Sequence, residues 1–265
     1  MHRLLLLSCL WLVSLNTYAL NPSREYRRLP EDLGIPYDSV KIFSPDGYEL
    51  NTWVMHPRGD AQPTTILVAG SDAGNMADLL PYAHQLLARG YPVVTFDYRG
   101  FGDSSNFAID NDYLYYREFI TDFVTVADWI KAECRPVRLA VQGFSMGTLV
   151  AAAGYEHSPF DAFVGDGPVV SPTAVHQRIV ATTAPATHLP DHAALDDDCL
   201  LEMPVPMLLF AGVADPIVTL GDAQRVARAN PLCTVVPHEG RHLQGAAKLG
   251  LQTYFDRIDD FLRSS

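Results

Sequence analysis

One pentapeptide constrains this chain more than any other stretch: Gly143-Phe144-Ser145-Met146-Gly147, lying between the apolar run 139–141 and the small, apolar residues 148–153. That pattern predicts a strand, a sharp turn and a buried helix, with a serine at the turn. A serine held there has a strained backbone, and the residues two before and two after it must lack side chains that would clash with neighbouring segments. Glycine at 143 and 147 meets that demand. The turn points its hydroxyl out at the carboxyl end of the strand, beside backbone N–H groups of the helix N-terminus that can hold an anion. Ser145 is therefore the candidate nucleophile, although G-x-S-x-G also occurs by chance in ordinary turns and needs partners elsewhere in the chain.

Composition narrows the setting in which those partners are sought. With 19 basic and 31 acidic side chains and a formal charge of −12, nucleic acid is excluded as an expected partner. Arg3, the apolar run 4–15 and then Thr17-Tyr18-Ala19 read as an export signal cleaved near Ala19, because the run is too short for a membrane span. The expected location is thus periplasmic or secreted. An uncleaved N-terminal anchor is the alternative, and would be the chain's one membrane contact. Residues 20–265 suit a single α/β domain whose 48% apolar composition can fill one core. Beyond the signal, Cys134, Cys199 and Cys233 have a spacing that suits neither zinc nor a disulfide framework.

Taken in order, residues 20–37 read as an irregular, proline-punctuated lead-in. Runs 39–43 and 49–55 flank Ser44-Pro45-Asp46-Gly47 and predict an antiparallel hairpin. From residue 64 short apolar runs alternate with helical periods. Strands are expected at 65–69, 92–96, 139–141, 162–165, 207–211 and 234–236, and helices at 76–88, around 119–130 and around 251–262. Residues 171–203 read as irregular.

A serine hydroxyl at neutral pH needs a base within hydrogen-bond reach and a group that orients the base. Asp215 follows the expected strand 207–211, and His242 follows the strand ending near Val236. Ser145, Asp215 and His242 thereby fall on three strand ends facing one crevice, where open parallel sheets bind ligands. His238, nearer its strand, is the alternative base, and Asp166, which ends the strand between, is the alternative acid.

With that triad in hand, residues 38–262 resemble an α/β-hydrolase: nucleophile elbow, acid and histidine follow in the chain order Ser, Asp, His. The stretches Leu67-Val-Ala-Gly-Ser-Asp-Ala-Gly-Asn75 and Phe96-Asp-Tyr-Arg-Gly-Phe-Gly-Asp-Ser104 are similar to segments of small serine hydrolases that cleave esters, thioesters or peptides. The resemblance implies a mostly parallel central sheet of about eight strands, helices on both faces and an N-terminal antiparallel hairpin. It also implies an oxyanion hole made by the backbone N–H of Met146 and by that of Asp72, with Ser71 as the alternative. Where the family usually has His-Gly this chain has Ala69-Gly70 or Gly70-Ser71, and an ionised Asp72 would repel an oxyanion. Its side chain is therefore expected to turn outward, capping the helix that begins near Asn75.

What the resemblance implies for function is acyl transfer through a Ser145 acyl-enzyme, with no metal or organic cofactor. Residues 171–203 are expected to form a small lid, and their His176, His188, Asp191, His192 and 196–198 aspartates read as a solvated stretch because the spacing matches no metal motif. The expected substrate is a small acyl ester or thioester, lipid-derived or otherwise. A serine peptidase or aminopeptidase of the same fold and a catalytically silent binding protein are the alternatives.

Overall fold

The computed structural model describes residues 19–182, 184–190 and 193–265. Most of the expected export signal, together with Asp191 and His192, lies outside them. Ten strands are described: β1 (Asn21–Pro22), β2 (Tyr37–Phe43), β3 (Glu49–Met55), β4 (Thr64–Ala69), β5 (Ala73–Gly74), β6 (Val93–Phe96), β7 (Arg138–Phe144), β8 (Ala162–Asp166), β9 (Met207–Gly212) and β10 (Cys233–His238). The helices are α1 (Leu80–Leu87), α2 (Glu118–Trp129), α3 (Met146–Gly154), α4 (Pro172–Thr182), α5 (Cys199–Glu202), α6 (Leu220–Ala229), α7 (Gly245–Leu249) and α8 (Leu251–Ser264).

Eight strands form one sheet in the order β10-β9-β8-β7-β4-β6-β3-β2. The hairpin β2–β3 and the β3–β6 pair are antiparallel, and every other pair is parallel. This is the expected architecture. A strand's side chains point alternately to opposite faces, and the central strands are apolar on both. Leu67, Ala69, Leu139, Val141, Phe163 and Leu209 pack on one side with Phe119 and Phe123 of α2 and Leu149 and Val150 of α3. Ile66, Val68, Ala140, Val164, Leu208 and Phe210 pack on the other with Leu80 and Leu86 of α1 and Phe255 and Ile258 of α8. Helices thus cover both faces, which forces each crossover to return along the same strand direction and gathers the loops at the carboxyl ends.

Two stretches differ from the expectation of irregular chain. Residues 171–203 carry α4, α5 and a 3₁₀ turn, Ala193–Asp196. Nor is that segment simply solvated, since Asp196 is buried and bonded to the Tyr115 hydroxyl. It is also tied to the loop before α2 through Leu114 N–H to His188 O at 3.1 Å and His188 N–H to Asp112 O at 2.7 Å. The lead-in 20–37 is likewise built into the fold. Leu20 is fully buried, β1 pairs in parallel with β5, and Pro30–Leu33 forms a 3₁₀ turn. Neither stretch has the long hydrophobic period that reveals an element in sequence, because short elements on a domain's margin take their order from the residues they touch.

The motif 96–104 has a structural use. Arg99 is buried and bonds Asp122 through Nε (2.9 Å) and Nη2 (2.7 Å) and Asp46 through Nη1 (2.6 Å), with its guanidinium 4.0 Å from the Tyr48 ring centroid. A buried cation is tolerable only when its charge is paired and its donors are used, and both conditions are met here. Cys134, Cys199 and Cys233 are all free.

Candidate active site

Strand β7 ends in the elbow. Ser145 has φ 48° and ψ −115°, a left-handed φ that costs a non-glycine residue on the order of 1–3 kcal/mol. The flanking glycines explain how the strain is held. A Cβ on Gly147 would lie 2.2 Å from Ala69 O and 2.6 Å from Gly70 O, and one on Gly143 would lie 2.9 Å from Thr148 N. Only a bare backbone lets α3 come this close to β4 and the loop after it. Ser145 N–H donates to Asp166 O at 3.0 Å, and Ser145 O accepts from Thr148 N–H at 2.8 Å and Thr148 Oγ1 at 2.6 Å.

The three residues nominated from sequence meet. His242 Nε2 lies 2.8 Å from Ser145 Oγ, and its Nδ1 lies 2.7 Å from Asp215 Oδ2. The carboxylate fixes the tautomer, with Nδ1–H donating to Asp215 and Nε2 accepting from the serine hydroxyl. Asp215 is itself held, since Oδ1 accepts from Ile217 N–H at 2.9 Å and Val218 N–H at 3.0 Å. Its side chain is 1% exposed and that of His242 30%, so the acid is locked while the imidazole edge stays open to a substrate. Burial disfavours the imidazolium, but the Asp215 hydrogen bond and charge, helped by Asp72 and Asp166, outweigh it and hold the His242 pKa above the ordinary histidine value.

The alternatives sit elsewhere. His238 is buried and both its ring nitrogens lack a hydrogen-bond partner among the described residues; burial pushes its pKa down. Asp166 accepts from Tyr254 Oη at 3.2 Å, and Gln142 Nε2 lies 3.4 Å behind that hydroxyl. Burial pushes the Asp166 carboxyl up to about 7, against the opposing pull of His242 and Tyr254. It therefore forms a polar group behind the relay rather than its orienting acid. Sequence reasoning did not single out Gly167, whose φ of 65° and position matter here: a Cβ would meet His242 Cε1 at 2.6 Å. The glycine was visible within Asp166-Gly-Pro, but there it signalled only a turn.

Across from the elbow runs the loop 70–74. Met146 is the first residue of α3, where a helix leaves its N–H without an intrahelical acceptor. The loop's backbone is the facing wall, because Ala69 O and Gly70 O are the atoms that the missing Gly147 side chain would strike. The expected outward turn of Asp72 to cap a helix is not what the structure has. Asn75 caps its own 3₁₀ turn, Met76–Leu79, by accepting from Ala77 N–H at 3.1 Å. The charges of Asp72 and His242 act on each other, and burial raises the Asp72 pKa against the pull of that imidazole.

The charged residues of 171–203 are spent separately. His176 Nε2 lies 2.8 Å from Thr187 O, Asp197 accepts from Ser171 Oγ at 2.7 Å, and Asp198 pairs with Arg225 at 2.9 Å. Among the described residues no group of three His, Cys, Asp or Glu could hold a metal ion, and no helix is long and apolar enough to cross a membrane.

An eight-stranded, mostly parallel sheet with helices on both faces and a serine elbow on its middle strand defines the class: the chain has the α/β-hydrolase fold. Within it, a family model described as serine aminopeptidase, S33, matches residues 69–196. The chain is 23% identical to the uncharacterized protein YfhR of Salmonella typhi across 97% of its own length and 91% of that protein's. Over 100 residues, 37% of this chain and 25% of the other, it is 33% identical to the lysophosphatidylserine lipase ABHD12 of Gallus gallus. Among solved structures, the Pyrococcus furiosus esterase Pf2001 has the same fold, with a TM-score of 0.75 at 22% identity over 92% of this chain and 99% of that one.

Proposed function

We propose that this protein is a serine hydrolase that transfers the acyl group of a small ester or thioester to water. The observation that carries the reading is the relay Ser145 Oγ, His242 Nε2, His242 Nδ1, Asp215 Oδ2, with steps of 2.8 and 2.7 Å. His242 takes the Ser145 proton as Oγ attacks the carbonyl carbon, and Asp215 stabilises the imidazolium. The negative charge that develops on the carbonyl oxygen is received by the N–H of Met146 and that of Asp72 or Ser71, each donor lowering the barrier by about 3–4 kcal/mol. The imidazolium then protonates the leaving alcohol or thiol. Water, deprotonated by His242, releases the acid from Ser145. No step in this sequence requires a metal or organic cofactor.

A fluorophosphonate probe tests the reading. It is expected to label the wild type and not Ser145→Ala, whereas a folded wild type that takes no label would leave a silent binding protein as the better account. The base is tested by turnover of p-nitrophenyl acetate and butyrate. His242→Ala should lose about 10⁴-fold or more in kcat, and His238→Ala should keep most of it.

The family model's description as a serine aminopeptidase favours a second reading, peptide-bond hydrolysis at a free amino terminus. Aminoacyl p-nitroanilides turned over faster than acyl esters would replace the first reading with that one. A series of acyl esters of increasing length sets the acyl range, and the likeness to a lysophosphatidylserine lipase makes single-chain lipids a natural extension of it. The lid remains part of the proposal. Its helix α4 is tied to the acid's loop by Arg178 Nη1 donating to Ile217 O at 2.7 Å. We further infer export with cleavage near Ala19, which N-terminal sequencing of the secreted or periplasmic protein checks.

A further inference from the structure

The loop 70–74 has a support that plays no direct part in the proposed reaction. Residues 20–26 run alongside it as a strap. Asn21 N–H donates to Asp72 O at 2.8 Å and Ser23 N–H to Gly74 O at 2.8 Å. Asn75 Nδ2 returns two bonds, to Ser23 O at 3.2 Å and Glu25 O at 2.8 Å, while its Oδ1 caps the turn that follows the loop. The strap is pinned at its far end by Tyr26. That hydroxyl bonds Asp97 Oδ2 and accepts from Asn51 Nδ2 at 2.7 Å and Asp103 N–H at 2.9 Å. Asp97 closes the circuit, since its Oδ1 accepts from Met76 N–H at 2.8 Å at the start of the same turn. At its near end the strap is sealed by Leu20, fully buried, whose backbone N–H donates to Asn111 O at 2.9 Å.

Such bonding matters because the loop is not backed by a continuous core. A cavity lined by Gly70, Ser71, Ala73, Phe96, Tyr98 and Phe101 lies against it, and none of Ser145, Asp215 and His242 lines that cavity. A backbone segment with empty space beside it keeps a single position only if hydrogen bonds impose one. An oxyanion donor displaced by about 1 Å can cost about 10²-fold in rate.

We propose that Asn21, Asn75 and Tyr26 are positioning residues for the oxyanion hole: through the strap they hold the loop 70–74 so that its backbone N–H groups stay aimed across from Met146. The proposal rests on the serine hydrolase reading for its catalytic consequence, and on the hydrogen bonds alone for the loop's order.

The test is Asn75→Asp in the full chain. It keeps the acceptor that caps Ala77 and removes both donors to the strap. Amide hydrogen exchange is expected to rise in 70–74 and to stay unchanged in 143–149. The turnover of p-nitrophenyl butyrate should fall ten- to a hundred-fold in kcat with KM within about twofold, because oxyanion contacts are made in the transition state and not in the bound substrate. Tyr26→Phe, which keeps the ring against Trp53 and loses only the hydroxyl, should show the same pattern more weakly and serves if the first variant does not fold. Unchanged exchange in 70–74 overturns the strap whatever the catalysis does. Raised exchange with kcat unaltered overturns its catalytic role. A wild type that neither turns over ester nor takes the fluorophosphonate fails at the hydrolase reading instead, and the exchange difference still decides whether the strap holds the loop.

Discussion

On the Ser145 side of the site much of the constraint is local, with Gly143 packed against Thr148 and two bonds from Thr148 to Ser145 O, and close packing of Gly147 on Ala69 O and Gly70 O completes it. On the facing side the loop 70–74 is held from afar, by Ser23 and Glu25, which lie 52 and 50 positions before Asn75, and by Asp97 beyond it. The first wall stores backbone strain and is rigid because close packing forbids anything else. The second is relaxed, lies beside a cavity and borrows its order from the strap. One consequence is that the elbow needs fixed residue types, whereas the loop can carry an unusual one such as Asp72 as long as its backbone stays in place.

The largest break in that comparison comes where the two walls touch. Gly147→Ala puts a Cβ within 2.2 Å of Ala69 O, and backbone cannot yield cheaply. We expect kcat to fall about 10²-fold or more and stability to drop by about 1–3 kcal/mol, measured by ester turnover and thermal melting. A smaller effect sharpens the role of the loop's side chain. In Asp72→Asn one carboxylate leaves the surroundings of His242, whose pKa is raised partly by that charge. The base must be neutral to accept the Ser145 proton, so activity is lost as pH falls through its pKa. Lowering that pKa moves the acid limb of the kcat/KM profile to lower pH, by less than about one unit, with the loop's backbone donors intact.

The smallest expected effect on turnover lies behind the elbow. Asp166 ends β8 with Oδ1 unpartnered among the described residues and a pKa pushed up to about 7 by burial. Its folded-state pKa lies above the unfolded value near 4, so the folded protein binds this proton more tightly and stability from this group falls as pH rises from about 4 to about 7. Asp166→Asn removes the titration. The variant's melting temperature relative to the wild type should improve as pH is raised from 5 to 8, by the equivalent of about 2–3 kcal/mol. A difference that stays flat across that range would mean Asp166 is not the group that titrates.

Much of this molecule is legible in the order of its residues. The strands that are apolar on both faces, the hairpin around Ser44-Pro45-Asp46-Gly47 and the helices at 118–129 and 251–264 follow from period and turn chemistry, which are local. So does the nomination of Ser145, Asp215 and His242, because each stands just past a strand whose apolar run is unmistakable. Less legible are α4 and the ordered lead-in at 20–37. A short element with no long amphipathic face is stabilised by what it touches, and nothing within residues 20–26 says that Asp72, Gly74 and Asn75 will be its partners.

By itself the sequence determined where the elbow lies: glycine at 143 and 147 between an apolar strand and an apolar helix marks a tight turn at Ser145, because turn chemistry and hydrophobic period are local, whereas the contact that requires Gly147, with Ala69 O and Gly70 O, comes from β4 and the loop after it. Only the tertiary structure decided which histidine reaches the serine, His242 rather than His238, and which acid orients it, Asp215 rather than Asp166. It alone also decided that the opposite wall hangs from residues 20–26. Those choices turn on hydrogen bonds between segments far apart in the chain, whose geometry exists only once the sheet has fixed where every strand ends.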